Sequence, residues 1–284
     1  MKLFTFKRGG VHPPEHKSLS KHKEIRPLPL PGQVVIAMNQ HLGKPARPLV
    51  KKNQEITVGE RIGEADGFIS AHIHSSVAGK VVKIEPAITA VGTRSETVII
   101  DVDPEKTEEG YRVFQDREPV DFRSMDPKEI IGKIQDAGVV GMGGAAFPTN
   151  VKLSPPPDKK IDTILINGAE CEPYLTADHQ VMIERSNDLL NGIAIIQRAL
   201  GVENTWIGIE ANKPDAIEKL QSLITTGNTS GIKIAPLKTQ YPQGGEKQLI
   251  AAVTGREVPS GKLPFEVGCL VQNTGTAVAI YEAV

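Results

Sequence analysis

From Ile161 onward, strand-length apolar runs alternate with helix-length amphipathic segments, and few folds accommodate that order. IDTILING (161–168), ENTWIGIEAN (203–212) and GIKIAPLKT (231–239) are rich in β-branched residues. Near-continuous apolar runs of this length read as strands buried on both faces. Between and after them lie TADHQVMIERSNDLLNGIAIIQRALG (176–201), KPDAIEKLQSLITTG (213–227) and GGEKQLIAAVTG (244–255), which read as helices. The first is expected to break near Asn187, and the second to start at Pro214. The alternation predicts an α/β fold with a mostly parallel sheet covered on both faces, with Trp206 in its core. A ligand site is then expected at the carboxyl ends of the strands.

The earlier residues follow other patterns. MDPKEIIGKIQDAGV is expected to be a short helix, with Asp126 as N-cap, Pro127 at the first helical position and a stop at Gly138. Residues 104–124 are charged and weakly apolar, and read as a linker. Over 32–103, short β-branched runs alternate with Gly and polar turns, as in a compact all-β module. Val50, Ile56, Val58, Ile62, Ile69, Ile73, Val77, Val81 and Ile84 are its expected core. Residues 1–31 carry Pro13, Pro14, Pro27, Pro29 and Pro31, and read as an extended arm laid over a domain. The expected organisation is an arm (1–31), a β module (32–103), a linker (104–124) and an α/β domain (125–284).

Composition excludes several functions. The net charge is −1 and aromatics are 4%, so neither a basic footprint nor a stacking platform for nucleic acid is present. Two cysteines, Cys171 and Cys269, make no disulfide framework and no CxxC motif, which fits a reduced, cytoplasmic setting. No apolar run approaches the ~18 residues of a membrane span, and the N-terminus lacks a secretory apolar stretch. A peripheral place in a membrane assembly remains compatible with this.

Four segments carry candidate chemistry. In GVVGMGGAAFPTNVKL (138–153), Gly141, Gly143 and Gly144 allow backbone amides to approach an anion, with Lys152 following; a flexible structural turn is the alternative. In INGAECEPYLTADHQ (166–180), Asn167 ends a strand. Glu170 and Glu172 would point the same way in extended backbone. Such carboxylates suit acid–base work, a metal or ligand hydroxyls, or form a solvated acidic loop. Cys171 between them reads as a half-buried thiol rather than a nucleophile. In TQYPQGGEKQLIAAVTG (239–255), Gly244, Glu246 and Lys247 stand at a helix start that favours anions. In CLVQNTGTAVAI (269–280), Gln272, Asn273 and Thr274 precede a helix, so Asn273 or Thr274 can cap it, or their amides can hydrogen-bond the edge of a planar ring. His72 and His74 share a strand face without a third ligand, so no metal is expected.

These segments together resemble one family in order and spacing: the NADH-binding flavoprotein of respiratory complex I and its relative, the Rnf-C component of the Rnf complex. GMGGAAFPTNVK resembles GRGGAGFPTG-x-K; NGAECEP resembles N-A-D-E-G-E-P; YPQGGEKQL resembles Y-x-x-G-E-E-T-A-L; QNTGT resembles N-N-x-E-T. The opening FKRGGVHPPEHK and the wording NGAECEPYLTADHQVM look specifically like the Rnf-C component. The 32–103 module resembles a lipoyl- or biotinyl-type barrel-sandwich through VKKNQEITVGERIG and SSVAGKV, but EADGFISAHIHS between them has no lysine for a carried cofactor.

The resemblance implies non-covalent FMN with NAD(H) beside it. By motif match, Gly141, Gly143, Gly144 and Lys152 hold the FMN phosphate. Asn167, Glu170, Gly244, Glu246, Gln272, Asn273 and Thr276 line the rest of the flavin site. Phe147, Glu172 and Tyr241 face the nicotinamide nucleotide. Met142, Ala169 and Gly245 depart from the complex I pattern, each by loss of a polar group. The implied activity is hydride transfer between NAD(H) and FMN in an ion-translocating ferredoxin:NAD oxidoreductase (Rnf) complex at the cytoplasmic face of the membrane. Other Rnf subunits are its implied partners, and ferredoxin indirectly. The iron–sulfur clusters belong to a C-terminal part expected beyond this chain. A soluble Rnf-C-like protein of the proline-reductase-associated type, a non-catalytic docking module and a biotin- or lipoate-type carrier are the alternatives.

Overall fold

A computed structural model describes residues 2–90, 92–227 and 229–284. The chain forms two compact units, each drawn from separated segments.

One unit comprises residues 27–124 and 131–151. Its strands are β1 (Gln33–Ala37), β2 (Arg47–Pro48), β3 (Glu55–Ile56), β4 (Arg61–Glu64), β5 (Ile73–His74), β6 (Gly79–Ile88) and β7 (Arg94–Val102). They pair antiparallel in two sheets, ordered β1-β7-β6-β3 and β2-β4-β5. Met38, Ile62, Val81, Val98 and Ile100 are fully enclosed between them. Val50, Ile56, Ile73 and Val77 join that core, while Val58, Ile69 and Ile84 are only half-buried. Between β4 and β5, where a carrier-type module presents its lysine, Phe68 stands 83% exposed.

The segment read as a linker instead begins with a helix, α1 (Pro104–Gln115). Asp103 caps it by accepting the Lys106 N–H at 3.2 Å, and Pro104 takes the first position. The helix docks through polar contacts. Buried Thr107 exchanges hydrogen bonds with the Ala78 backbone at 3.0 and 3.2 Å, and the Tyr111 hydroxyl donates to the Ser76 carbonyl at 2.7 Å. A helix held this way lacks the apolar stripe that periodicity detects. The helices α2 (Pro127–Asp136) and α3 (Thr149–Lys152) contain the boundaries between the two units. The glycine-rich segment therefore groups with the β-sheet unit, where the Leu42 N–H donates to the Ala146 carbonyl at 3.1 Å.

The other unit comprises residues 1–26, 125–130 and 152–284. It holds β8 (Thr163–Gly168), α4 (Ala177–Glu184), α5 (Ser186–Leu200), β9 (Thr205–Glu210), α6 (Pro214–Thr226), β10 (Ile232–Leu237), α7 (Glu246–Thr254), β11 (Cys269–Asn273) and α8 (Thr274–Ala283). Its four-stranded sheet is wholly parallel, in the order β10-β9-β8-β11. Leu165, Cys269 and Val271 cluster with Leu249 and Ile250 of α7. The alternate residues Ile164 and Ile166 are fully buried on the opposite face, and α4, α6 and α8 pack on the sheet. The break in the long helical segment falls at Arg185, close to the expected Asn187. Trp206 is half-buried rather than enclosed, and Phe4 meets it edge-on at 5.8 Å.

The N-terminal arm is hydrogen-bonded along this unit. Phe4 bridges β10 through the Pro236 carbonyl and the Lys238 N–H, at 2.8 and 2.9 Å. Val11 and Tyr241 exchange both backbone hydrogen bonds at 2.8 Å. The arm thus lies over the domain as expected and pairs with the edge of its sheet.

Candidate functional site

Strand pairing aligns the carboxyl ends of the parallel sheet: Asn273 sits opposite Asn167, and Gly168 opposite Ile209. Asn167 donates from Nδ2 to the Gly244 carbonyl at 2.8 Å, and its Oδ1 accepts the Ala169 N–H at 3.2 Å. The Gly244 N–H reaches the Cys171 sulfur at 3.4 Å. One asparagine and one thiol therefore tie the loop after β8 to the loop after β10. Asn273 caps α8 by accepting the N–H of fully buried Thr276 at 3.2 Å, and donates to Asp178 at 2.7 Å.

Among the described residues, three buried amide donors near these strand ends, those of Gln272, Gln243 and Asn212, have no hydrogen-bond partner. Gln272 is 2% exposed and Gln243 fully buried, and neither Nε2 is hydrogen-bonded. A buried unsatisfied donor costs about 1–3 kcal/mol. Such donors fit a ligand with carbonyl or ring-nitrogen acceptors at its edge, which an isoalloxazine has.

The acidic loop differs from the extended arrangement expected of it. Glu170 is left-handed at φ 49°, so the backbone here is not the extended one that would put both carboxylates on one face. Buried Glu170 accepts the Asp178 N–H at 2.7 Å and the His179 N–H at 3.4 Å, so it caps α4. Burial pushes its carboxyl above the ordinary range, and the same holds for Asp178. Glu172 is exposed. The two glutamates do not form a carboxylate pair.

Three charged residues missed by the sequence reading organise this region. Lys17 is 7% exposed, and its ammonium donates to the carbonyls of Glu170, Glu172 and Leu175 at 2.8, 3.0 and 2.6 Å. Lys213 and Glu210 are each 1% exposed and meet at 3.3 Å. Lys213 also donates to the Ala169 carbonyl at 2.7 Å. The spacing of Glu210 and Lys213 across a strand end was the available signal for that pair. Nothing local marked Lys17.

Lys152, at the end of α3, donates to Glu246, at the start of α7, at 2.9 Å. An incoming phosphate would have to share this lysine with Glu246. Tyr241 is 40% exposed. A cavity of about 50 Å³ opens beside it, lined by His12, Lys17, Cys171, Glu210 and Tyr241 among others. It is far smaller than a ligand pocket of ~300–1,000 Å³. Cys171 lines this cavity half-buried, and burial pushes its thiol up. Iodoacetamide at pH 8 should therefore alkylate Cys171 well below the rate of a free cysteine. Labelling at the free rate would show an accessible, activated thiol instead.

In the β-sheet unit, the glycine segment closes on itself. The Gly141 N–H donates to the Phe147 carbonyl at 2.9 Å, and Val140 bridges Pro148. Gly143 adopts φ 71°, open to glycine at no steric cost, and residues 142–145 are exposed. At Gly144 no atom lies within 4 Å of where a Cβ would stand. The backbone there is free to approach a ligand, and Phe147 is half-buried at its end. Among the described residues, no group of three or more His, Cys, Asp or Glu is placed to hold a metal ion, and no helix is long and apolar enough to cross a membrane.

The Nuo51 FMN-binding domain model matches residues 134–282, and the RnfC barrel sandwich hybrid domain model matches residues 4–105. The chain is 44% identical to the RnfC-type component of the proton-translocating ferredoxin:NAD(+) oxidoreductase complex of Clostridium ljungdahlii, over 98% of this chain and 59% of that protein. It is 45% identical to the counterpart in the Na(+)-translocating complex of Acetobacterium woodii, over 98% and 61%. With the counterpart in the ion-translocating oxidoreductase complex of Rhodobacter capsulatus it shares 38%, over 98% and 53%. The chain thus spans between half and two-thirds of the length of these relatives. Among solved structures, an NAD+-reducing nickel–iron hydrogenase matches in its air-oxidised and H2-reduced states. The TM-scores are 0.52 and 0.53 at 23% identity, over 60% and 61% of this chain and 33% and 34% of that one, a likeness of fold alone. The barrel-sandwich module and the α/β FMN-binding fold expected from sequence are both found, and the chain belongs to the Nuo51 FMN-binding domain family as an RnfC-type member.

Proposed function

We propose that this chain binds FMN non-covalently, with NAD(H) beside it. In that reading it is the NADH-oxidising or NAD-reducing flavoprotein part of a membrane-bound ion-translocating ferredoxin:NAD oxidoreductase. The observation that carries this is the buried, unpartnered amide donor at a strand end, Gln272 Nε2, in a chain of the FMN-binding family. Bound FMN would supply the redox chemistry, exchanging hydride with nicotinamide and single electrons with iron–sulfur clusters.

The chain's own residues bind and orient. Gly141, Gly143 and Gly144 are assigned to the FMN phosphate by motif match, and Lys152 as its counter-charge; of the glycines, Gly143 and Gly144 have exposed backbone. Gln272 hydrogen-bonds the ring edge. Asn167, Gly244, Asn273 and Thr276 hold the strand-end loops in shape for it. Glu170 acts through the α4 amides that it caps, and Glu246 through Lys152. Phe147, Glu172 and Tyr241 are assigned to the nucleotide by motif match. The relatives' names support the other components of the complex as partners. A peripheral position on the cytoplasmic face belongs to the same proposal. In this reading the iron–sulfur clusters are held beyond these residues.

The test is a flavin titration of the purified chain, followed by anaerobic NADH. The expected result is quenched FMN fluorescence on binding, then bleaching of the visible flavin absorption. Binding without bleaching would remove the nucleotide site from these residues. A folded sample that binds no FMN would sink the reading and favour a docking module or an electron-transfer role without flavin here.

A further inference from the structure

Lys17 lies in the N-terminal arm, 153 residues from the nearest partner of its ammonium. A lysine ammonium has three donors and no acceptor. Here all three go to one loop, onto the carbonyls of Glu170, Glu172 and Leu175. Carbonyl dipoles converging on one point repel unless a cation sits between them. The arm supplies that cation from its own sequence.

The loop so held is not one the chain adopts unaided. Glu170 and Tyr174 both carry positive φ, 49° and 69°, without being glycine. Such residues persist only where their surroundings over-determine them. The rest of the arm adds to the hold. The Tyr174 N–H donates to the Glu15 carbonyl at 2.8 Å, and the His16 ring stacks on Tyr174 at 4.9 Å and 11°. Thr176, just before α4, donates to Ser20 at 2.9 Å. Glu172, between the clamped carbonyls, keeps its side chain exposed.

We infer that Lys17 is a positioning residue. It stands as an internal cation that shapes the 170–175 loop, and through the loop it sets affinity for the nicotinamide nucleotide without touching it. This rests on the reading that the loop belongs to the nucleotide site. It makes the arm part of that site rather than a covering over it.

The experiment uses the full chain with Lys17→Ala, reconstituted with FMN, and n-propylammonium as the probe that restores the deleted ammonium and most of its stem. Hydrogen exchange at amides 171–178 should quicken by about tenfold or more, as local opening becomes easier. With ferricyanide as acceptor, the KM for NADH should rise about tenfold while kcat stays within about threefold, the signature of lost binding. Propylammonium should reverse both changes, and neutral propanol neither. Lys17→Met keeps a stem and drops the charge. It should show the same two losses, and it serves if the alanine variant does not fold. Unchanged exchange and KM in either folded variant would overturn the inference, as would a loss that propylammonium leaves untouched. Failure of the nucleotide reading looks different: the unsubstituted chain would not oxidise NADH at all, while the exchange measurement would still decide whether Lys17 holds the loop.

Discussion

Replacing Lys213 with methionine should destabilise the α/β unit by about 3–5 kcal/mol, because it strands a buried carboxylate. Lys213 and Glu210 are each 1% exposed and 3.3 Å apart. Lys213 also donates to the Ala169 carbonyl at 2.7 Å and to Asn212 at 3.1 Å, while Glu210 accepts the Gln240 N–H at 3.2 Å. Burial drives both groups toward neutrality, raising Glu210 and lowering Lys213, and each charge resists that drift in the other. Without the ammonium, Glu210 must stay charged alone or take up a proton. A carboxyl raised in the folded state binds protons that the unfolded chain releases, so stability falls as pH rises through that interval. The deficit of Lys213→Met should therefore be largest near neutrality and shrink as pH falls toward 5. Urea unfolding followed by far-UV circular dichroism at the two pH values measures this. The double variant Lys213→Met/Glu210→Gln should recover most of the loss. A single-variant cost below about 1 kcal/mol at neutral pH would mean that water or rearrangement reaches Glu210.

The second large effect concerns a helix crossing. Gly192 lies inside α5, where glycine is normally worse than alanine by about 1 kcal/mol. At this position α5 approaches α8 so closely that a Cβ would fall within the van der Waals envelope of the Ala277 carbonyl. That obstacle is backbone, which cannot swing aside. Gly192→Ala should therefore destabilise by about 3 kcal/mol, at the upper end of overpacking costs, and Gly192→Val by more. For a chain of this size each kcal/mol lowers Tm by about 2–4 °C. Gly132 in α2 provides the contrast, since no atom lies within 4 Å of its hypothetical Cβ. Gly132→Ala should raise Tm slightly. Paired melting curves of the two alanine variants should move in opposite directions. If both rise, the α5–α8 crossing is looser than described.

Local signals accounted for much of the architecture. The β8, β9 and β10 strands, their helices and the break near Asn187 followed from apolar periodicity and punctuation, which depend only on near neighbours in sequence. Asn273 was legible as a cap because capping acts within one turn. The helix α1 was not. Its one buried residue is Thr107, and Tyr111, Val113 and Phe114 stay largely exposed, so charge outweighed the Asp103-Pro104 start signal.

The candidate site divides along the same line. Asn167, Gln272 and Asn273 were visible in sequence, because strand ends and caps are written in contiguous residues. Glu170 was visible as well, but its role was not. Its backbone is left-handed rather than extended, and its carboxylate caps α4. Lys17 and Lys213 became part of the region only through folding, which brings them to carbonyls 153 and 44 residues away. The sequence by itself determined the order and kind of most elements and marked the motif residues at the strand ends. Tertiary structure alone decided which charges are buried and what each one holds, because desolvation and pairing depend on neighbours that the chain meets only once it has folded.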